Sequence, residues 1–124
     1  MNVPANLLYT KEHEWVKVEG KLALVGITDF AQSQLGDIVY VDIQTDGVYL
    51  DAGDEFGAVE AVKTVADLLM PLSGTIIQVN PELEGDPQLV NSDPYGEGWM
   101  IKVEISNPDE LDGLLKADTY SATL

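Results

Sequence analysis

Lys63 stands in the stretch Gly57-Ala58-Val59-Glu60-Ala61-Val62-Lys63-Thr64-Val65-Ala66-Asp67, among small and β-branched residues. The chain carries six lysines and no arginine against 22 Asp and Glu, so an isolated cation in an apolar surround is conspicuous. Such an amine admits three chemistries. It is a solvated surface charge, an attachment point for an acyl group, or a Schiff-base nucleophile. The last needs a desolvated lysine of lowered pKa beside an acid–base partner.

Other chemistry-bearing constellations are sparse. His13 is the sole histidine, so a two-histidine metal site is excluded, as is a histidine-paired nucleophile that the sequence itself positions. Glu12 and Glu14 flank it and, read as a strand, face away from it, which leaves a packed or solvent-facing histidine. With no cysteine, the chain has no disulfide, thiolate zinc site, iron–sulfur cluster or thiol nucleophile. Any redox sulfur must come from a cofactor. Gly96-Glu97-Gly98 lacks the third glycine and following helix of a phosphate loop.

Composition bounds the rest. A chain of 124 residues supports one domain, read here as 1–124. The 45% hydrophobic content argues against disorder despite a net charge of −16. That charge opposes nucleic-acid and anionic-membrane binding and favours cationic partners. Salt adaptation would select the same acidity. Met1-Asn2-Val3-Pro4 resembles no targeting segment, and no uncharged run approaches spanning length, so the chain is expected to be complete and cytoplasmic.

The elements that must position Lys63 read as mainly β. Glu12 to Glu19 and Leu22 to Ile27 form a hairpin around Glu19-Gly20-Lys21, the second run apolar enough to be buried on both faces. Thr28 caps a helix of about two turns that Gly36 ends. Ile38 to Ile43, Val48 to Leu50 and Thr75 to Val79 are short strands separated by glycine turns, as in a sandwich or barrel. Asn80-Pro81 opens a short helix, Asn91 to Gly98 is loop, and Trp99 to Ile105 alternates as a half-buried strand. Asn107-Pro108-Asp109-Glu110 opens a final helix with Leu111, Leu114 and Leu115 on its apolar face. The Lys63 stretch itself has two readings. Val59, Val62, Val65 or Ala66, and Leu69 fit a helical face with Glu60, Lys63 and Asp67 as a charge stripe, and propensity favours this. The alternative is a hairpin with Lys63 at its tip.

Separated motifs then carry a resemblance from Tyr9 to about Tyr120. They are Thr10-Lys11-Glu12-His13-Glu14-Trp15-Val16, Val25-Gly26-Ile27-Thr28-Asp29-Phe30-Ala31-Gln32, Leu35-Gly36-Asp37-Ile38-Val39, Val59-Glu60-Ala61-Val62-Lys63, Pro71-Leu72-Ser73-Gly74 and Asn91-Ser92-Asp93-Pro94-Tyr95-Gly96-Glu97-Gly98-Trp99. In this order and spacing the chain resembles the H proteins of the glycine cleavage system, a lipoyl-carrier family.

The resemblance implies a barrel-sandwich hybrid of two small antiparallel sheets with short peripheral helices and a C-terminal helix. It implies the hairpin reading, and lipoic acid in amide linkage to Lys63. It matches Glu60 and Gly74 to the surface read by lipoate-attaching enzymes, and Glu14 and Asp67 to carboxylates that dock the arm's cargo. It implies a non-catalytic carrier that visits three partners: a pyridoxal-phosphate glycine decarboxylase, a tetrahydrofolate-dependent aminomethyltransferase and lipoamide dehydrogenase. Such a carrier suits a monomer. Some relatives act mainly as lipoate relays to other complexes, which is the alternative role. Ala61, Thr64 and Ala66 depart from the family's commoner residues, but all are small, so the turn is expected to survive. A biotin carrier is disfavoured because Val62 and Thr64, not Met, flank Lys63.

Overall fold

The structure is a computed structural model that describes residues 1–124. Ten strands are present: β1 (Leu8–Tyr9), β2 (Glu14–Glu19), β3 (Leu22–Ile27), β4 (Ile38–Asp42), β5 (Tyr49–Leu50), β6 (Glu55–Ala61), β7 (Val65–Leu69), β8 (Gly74–Val79), β9 (Ile101–Ile105) and β10 (Leu115–Lys116). Four short helices accompany them: α1 (Asp29–Leu35), α2 (Glu82–Gly85), α3 (Leu89–Ser92) and α4 (Ala117–Ser121). The strands form two sheets, a seven-stranded one ordered β10-β1-β2-β3-β9-β8-β5 and a three-stranded one ordered β4-β6-β7. Every pairing is antiparallel. This is the expected two-sheet architecture.

The inward faces of both sheets share one core. Val16, Val25, Ile76, Ile101 and Val103 come from the larger sheet, and Ile38, Phe56, Val59 and Leu68 from the smaller, all buried. A second cluster of Leu7, Tyr9, Trp15 and Tyr120 covers the opposite side of the larger sheet, with Leu24 packed on it. β3 is therefore apolar on both faces because each face meets a different cluster. Gly26 belongs to the second face. A Cβ there would come within 2.7 Å of the Trp15 indole nitrogen, which donates to the Pro94 carbonyl at 2.9 Å.

Local signals position several elements as expected. Gly20 closes the β2–β3 hairpin at φ 66°. The Thr28 hydroxyl accepts from the Ala31 amide at 3.2 Å and so caps α1, and Gly36 ends that helix at φ 78°. Asn80 is buried, accepts from the Glu82 amide at 3.1 Å and donates to the Trp99 carbonyl at 2.7 Å.

The structure corrects three expectations. The loop from Asn91 begins inside α3, where the Asn91 amide donates to the Gly36 carbonyl and its oxygen accepts from the Ile38 amide. That side chain ties α3 to the start of β4. The final helix does not run from Asn107 through Leu115. A single 3-10 stretch, Pro108–Gly113, is capped by Asn107 as expected, and then the chain extends at Leu114. Leu115 pairs with Tyr9 as part of β10, because the free edge of β1 offers unpaired backbone groups. The C-terminal helix is α4, beyond that strand. Finally, His13 does not lie on a strand. It precedes β2 at φ 70° and packs against Phe30, with ring centroids 4.8 Å apart.

Candidate functional site

Lys63 lies at the tip of the β6–β7 hairpin. Glu60 and Val65 are the last registered pair, and the Ala61 amide donates to the Thr64 carbonyl at 2.8 Å. Val62 and Lys63 project beyond that bond, and Lys63 is exposed. The helical reading fails for a visible reason. Val59 is buried, whereas Val62 and Val65 are 69% and 60% exposed, so the valine triplet does not make one buried face. The working period is two. Val59 and Ala61 point into the core, and Glu60 points out. Pairing of Ala61 with Ile38 and of Val59 with Val41 holds β6 extended from its other side.

The remaining candidates occupy distinct places. Glu60 is exposed on the outer face of the three-stranded sheet, between Tyr40 on β4 and Val65 on β7. Asp67 shares that outer face and is exposed. Hydrogen bonding to the Asp67 side chain and the Asp67 charge both hold the Glu55 carboxyl above the ordinary carboxylate range. Gly74 is buried at the start of β8 in the larger sheet, where a Cβ would overlap the Glu104 carbonyl. Close packing alone accounts for glycine there.

Glu14 differs from every other acid. It begins β2 and is 3% exposed. Its Oε1 accepts from the Thr10 hydroxyl at 2.6 Å. Burial pushes its carboxyl up to about 7, and the Glu12 charge adds to the rise. The Thr10 hydroxyl and the Leu69 backbone amide act in the opposite direction. Leu69 ends β7, an edge strand of the smaller sheet. Glu14 therefore sits where β2 of one sheet meets β7 of the other, on the strand that descends from Lys63. Thr10 was not among the sequence candidates. Its signal was its position four residues before Glu14, across a tight turn in which it also accepts from the Glu12 and Glu14 amides.

A second neighbour of Glu14 was also invisible in the sequence. The Tyr120 hydroxyl lies 2.8 Å from both His13 Nδ1 and the Thr28 hydroxyl, and its ring stacks on Tyr9 at 4.7 Å. Burial raises the Tyr120 hydroxyl pKa, the Thr28 bond offsets this, and the nearby Glu14 charge adds to the rise. His13 is thus a packed histidine that holds the C-terminal helix. The largest concavity, about 360 Å³ between β4 and α2, lies elsewhere. Its buried polar residue, Asn80, has its hydrogen-bonding capacity engaged.

A sandwich of two antiparallel sheets that presents one exposed lysine on a tight hairpin is the architecture of a lipoyl-type carrier domain. The glycine cleavage H-protein family model matches residues 7–124. The glycine cleavage system H protein of Bacteroides fragilis is 56% identical over 124 residues, covering 100% of this chain and 98% of that protein. The corresponding protein of Salinibacter ruber is 55% identical over 121 residues, covering 98% of each. The crystal structure of the H protein from Mycobacterium marinum superposes with a TM-score of 0.88 at 36% identity, covering 98% of both chains. The chain belongs to the glycine cleavage H-protein family.

Proposed function

We propose that this chain is the lipoyl carrier of the glycine cleavage system and that Lys63 bears lipoic acid in amide linkage. The observation that carries the reading is the exposed Lys63 at the tip of a paired hairpin in a member of this family. Amide formation removes the lysine's positive charge, and the lipoyl group supplies the redox-active sulfur that a cysteine-free chain lacks. The residues present fit that role. The tip is held by two paired strands, and Val62, Lys63 and Thr64 are all exposed, so the amine is open to approach. The comparisons favour glycine cleavage over a role confined to lipoate relay.

The chain's own residues divide the remaining work. Glu60 stands on β6, three residues before the lysine, as an address for the attaching enzyme. Gly74 is retained in that address as a packing residue. Glu14 is the acid suited to a cationic aminomethyl cargo. It is buried, poised between protonation states near neutral pH, and an arriving ammonium would favour its ionised form. Burial also keeps water from such a cargo. Asp67, exposed and paired with Glu55, would meet the cargo at the outer rim. The carrier is non-catalytic. It visits glycine decarboxylase, the aminomethyltransferase and lipoamide dehydrogenase as a monomer in the cytoplasm.

Expression in a lipoylation-competent host, followed by intact-mass measurement, tests the attachment. One lipoyl addition on the wild type and none on Lys63→Ala is expected. A wild-type mass that never shifts refutes the reading.

A further inference from the structure

Thr10 makes contacts that closing a turn does not by itself require. The chain passes from β1 to β2 through residues 10–14. The Thr10 amide donates to the Glu14 carbonyl at 3.0 Å, and the His13 amide donates to the Thr10 carbonyl at 3.2 Å. Those backbone bonds would form with any side chain at position 10. The Thr10 hydroxyl adds three more. Its oxygen accepts from the Glu12 and Glu14 amides, both at 3.2 Å, and its hydrogen goes to Glu14 Oε1 at 2.6 Å. A hydroxyl has one hydrogen and two lone pairs, so this one is fully used. Two backbone amides hold its lone pairs, which leaves its hydrogen directed at the carboxyl. The turn is braced from its other end too. His13 is the one non-glycine residue at positive φ, a conformation that persists where neighbours enforce it. The Thr28 amide donates to the His13 carbonyl at 3.0 Å, and His13 Nδ1 lies 2.8 Å from the Tyr120 hydroxyl.

We propose that Thr10 is a positioning residue for the aminomethyl cargo: its hydroxyl holds Glu14 by Oε1 and leaves Oε2 to accept from the cargo's ammonium. The inference rests on the reading of Lys63 as the lipoyl-bearing residue and of Glu14 as the acid that meets the cargo. A glutamate carboxyl turns easily about its last bond, and one oxygen fixed by a committed donor removes that freedom. The other oxygen receives no side-chain donor. The 2.6 Å separation is that of a hydroxyl donating to an ionised carboxylate, the form that attracts an ammonium. Burial and the Glu12 charge oppose ionisation of Glu14, and no lysine offsets them. Thr10 is the one side chain that favours the charged form, beside the Leu69 amide on β7. It therefore sets the acceptor in place before any cargo arrives, as preorganised polar groups do.

The test follows the lifetime of the loaded arm. Full-length lipoylated chain is loaded from glycine by the decarboxylase and separated from it, and loss of the aminomethyl group to water at pH 7 is read by intact mass. Wild type is compared with Glu14→Gln, Thr10→Val, Thr10→Ser and Thr45→Val. Thr45 supplies a hydroxyl that bonds the Phe56 carbonyl at 2.8 Å, away from Glu14. Thermal melting and far-UV circular dichroism establish that each variant is folded. Thr10→Val should shorten the lifetime about tenfold, as expected for loss of one hydrogen bond to a charged group. In unloaded Thr10→Val, the Glu14 carboxyl should titrate higher than in wild type by carbon-13 NMR. Thr10→Ser should restore both readouts, and Thr45→Val should match wild type in both. A wild-type lifetime in folded Thr10→Val, with Glu14→Gln shortened, overturns the inference and leaves the role of Glu14 intact. An unchanged lifetime in Glu14→Gln overturns both. A shortened lifetime that Thr10→Ser does not restore assigns the effect to turn packing and overturns the inference. If Thr10→Val does not fold, the wild type still decides. Its Thr10 hydroxyl proton should be a slowly exchanging NMR resonance that shifts on loading, and a proton lost to rapid exchange, or unmoved by loading, overturns the inference.

Discussion

Replacing Glu14 with glutamine should make stability less dependent on pH, and the size follows from the site. The carboxyl is 3% exposed, and its pKa rises from 4.5 to about 7 on folding, chiefly through burial. At about 1.4 kcal/mol per unit, a shift of this size corresponds to about 3 kcal/mol. The sign follows from the raised folded pKa. Below about pH 4.5 the group is protonated in both states and its full contribution is present. That contribution is lost as pH rises through about 7, because the folded state must then hold a buried charge. The groups that face it are the Thr10 hydroxyl, the Leu69 amide, the Glu12 carboxylate and the Tyr120 hydroxyl. None of these supplies a countercharge. Glutamine keeps the shape, accepts the Thr10 hydrogen bond and never ionises.

The assay is urea unfolding of wild type and Glu14→Gln at pH 4.5, 6, 7 and 8, read as the difference between the two proteins at each pH. Taking the difference cancels the contribution of the other acids. The variant should gain on wild type steadily across this range, by up to about 3 kcal/mol at pH 8. With a urea slope of about 1.5 kcal/mol/M, that is a midpoint difference of about 2 M. A pH-independent difference, or a variant that loses ground as pH rises, would refute the claim that Glu14 is held in a charge-averse site. The wild-type residue thus costs stability at neutral pH, as expected of a group retained for binding.

Two further outcomes follow from the packing and electrostatics. Gly26→Ala drives a Cβ to within 2.7 Å of an indole anchored on the Pro94 carbonyl, and should destabilise the fold by about 2–3 kcal/mol in urea unfolding. A loss under half a kcal/mol would mean the indole moves freely. Asp67→Asn removes the charge that holds Glu55 up, so the Glu55 carboxyl should titrate lower, nearer the ordinary carboxylate range, in a carbon-13 NMR titration. An unchanged Glu55 titration would mean that Asp67 is not its partner.

Much of the fold was legible where the signals are local. Gly20, Thr28 and Gly36 each act within a turn, so a hairpin and a capped helix follow from the residues themselves. The Lys63 hairpin was not legible from periodicity, because exposed Val62 and Val65 mimic a helical stripe. The ordered family motifs resolved it. The C-terminal strand was missed because its stabilisation comes from β1, more than a hundred residues away, while Asn107-Pro108 signals a helix that Gly113 and that distant pairing cut short. The same distance hid Tyr120 beside His13 and Glu14. Glu14 was a candidate by resemblance. Its burial depends on where β7 of the smaller sheet meets β2, which no neighbouring residue announces.

The central claim is that Lys63, at the tip of an otherwise structural hairpin, is the attachment point of a lipoyl group. Peptide mapping of chain purified from a lipoate-supplied host tests it most directly. The account predicts a single lipoyl group, located on the peptide containing Lys63 and absent from Lys63→Ala. A lipoyl group on any other lysine, or an unmodified Lys63 under conditions that lipoylate a known carrier, would contradict it.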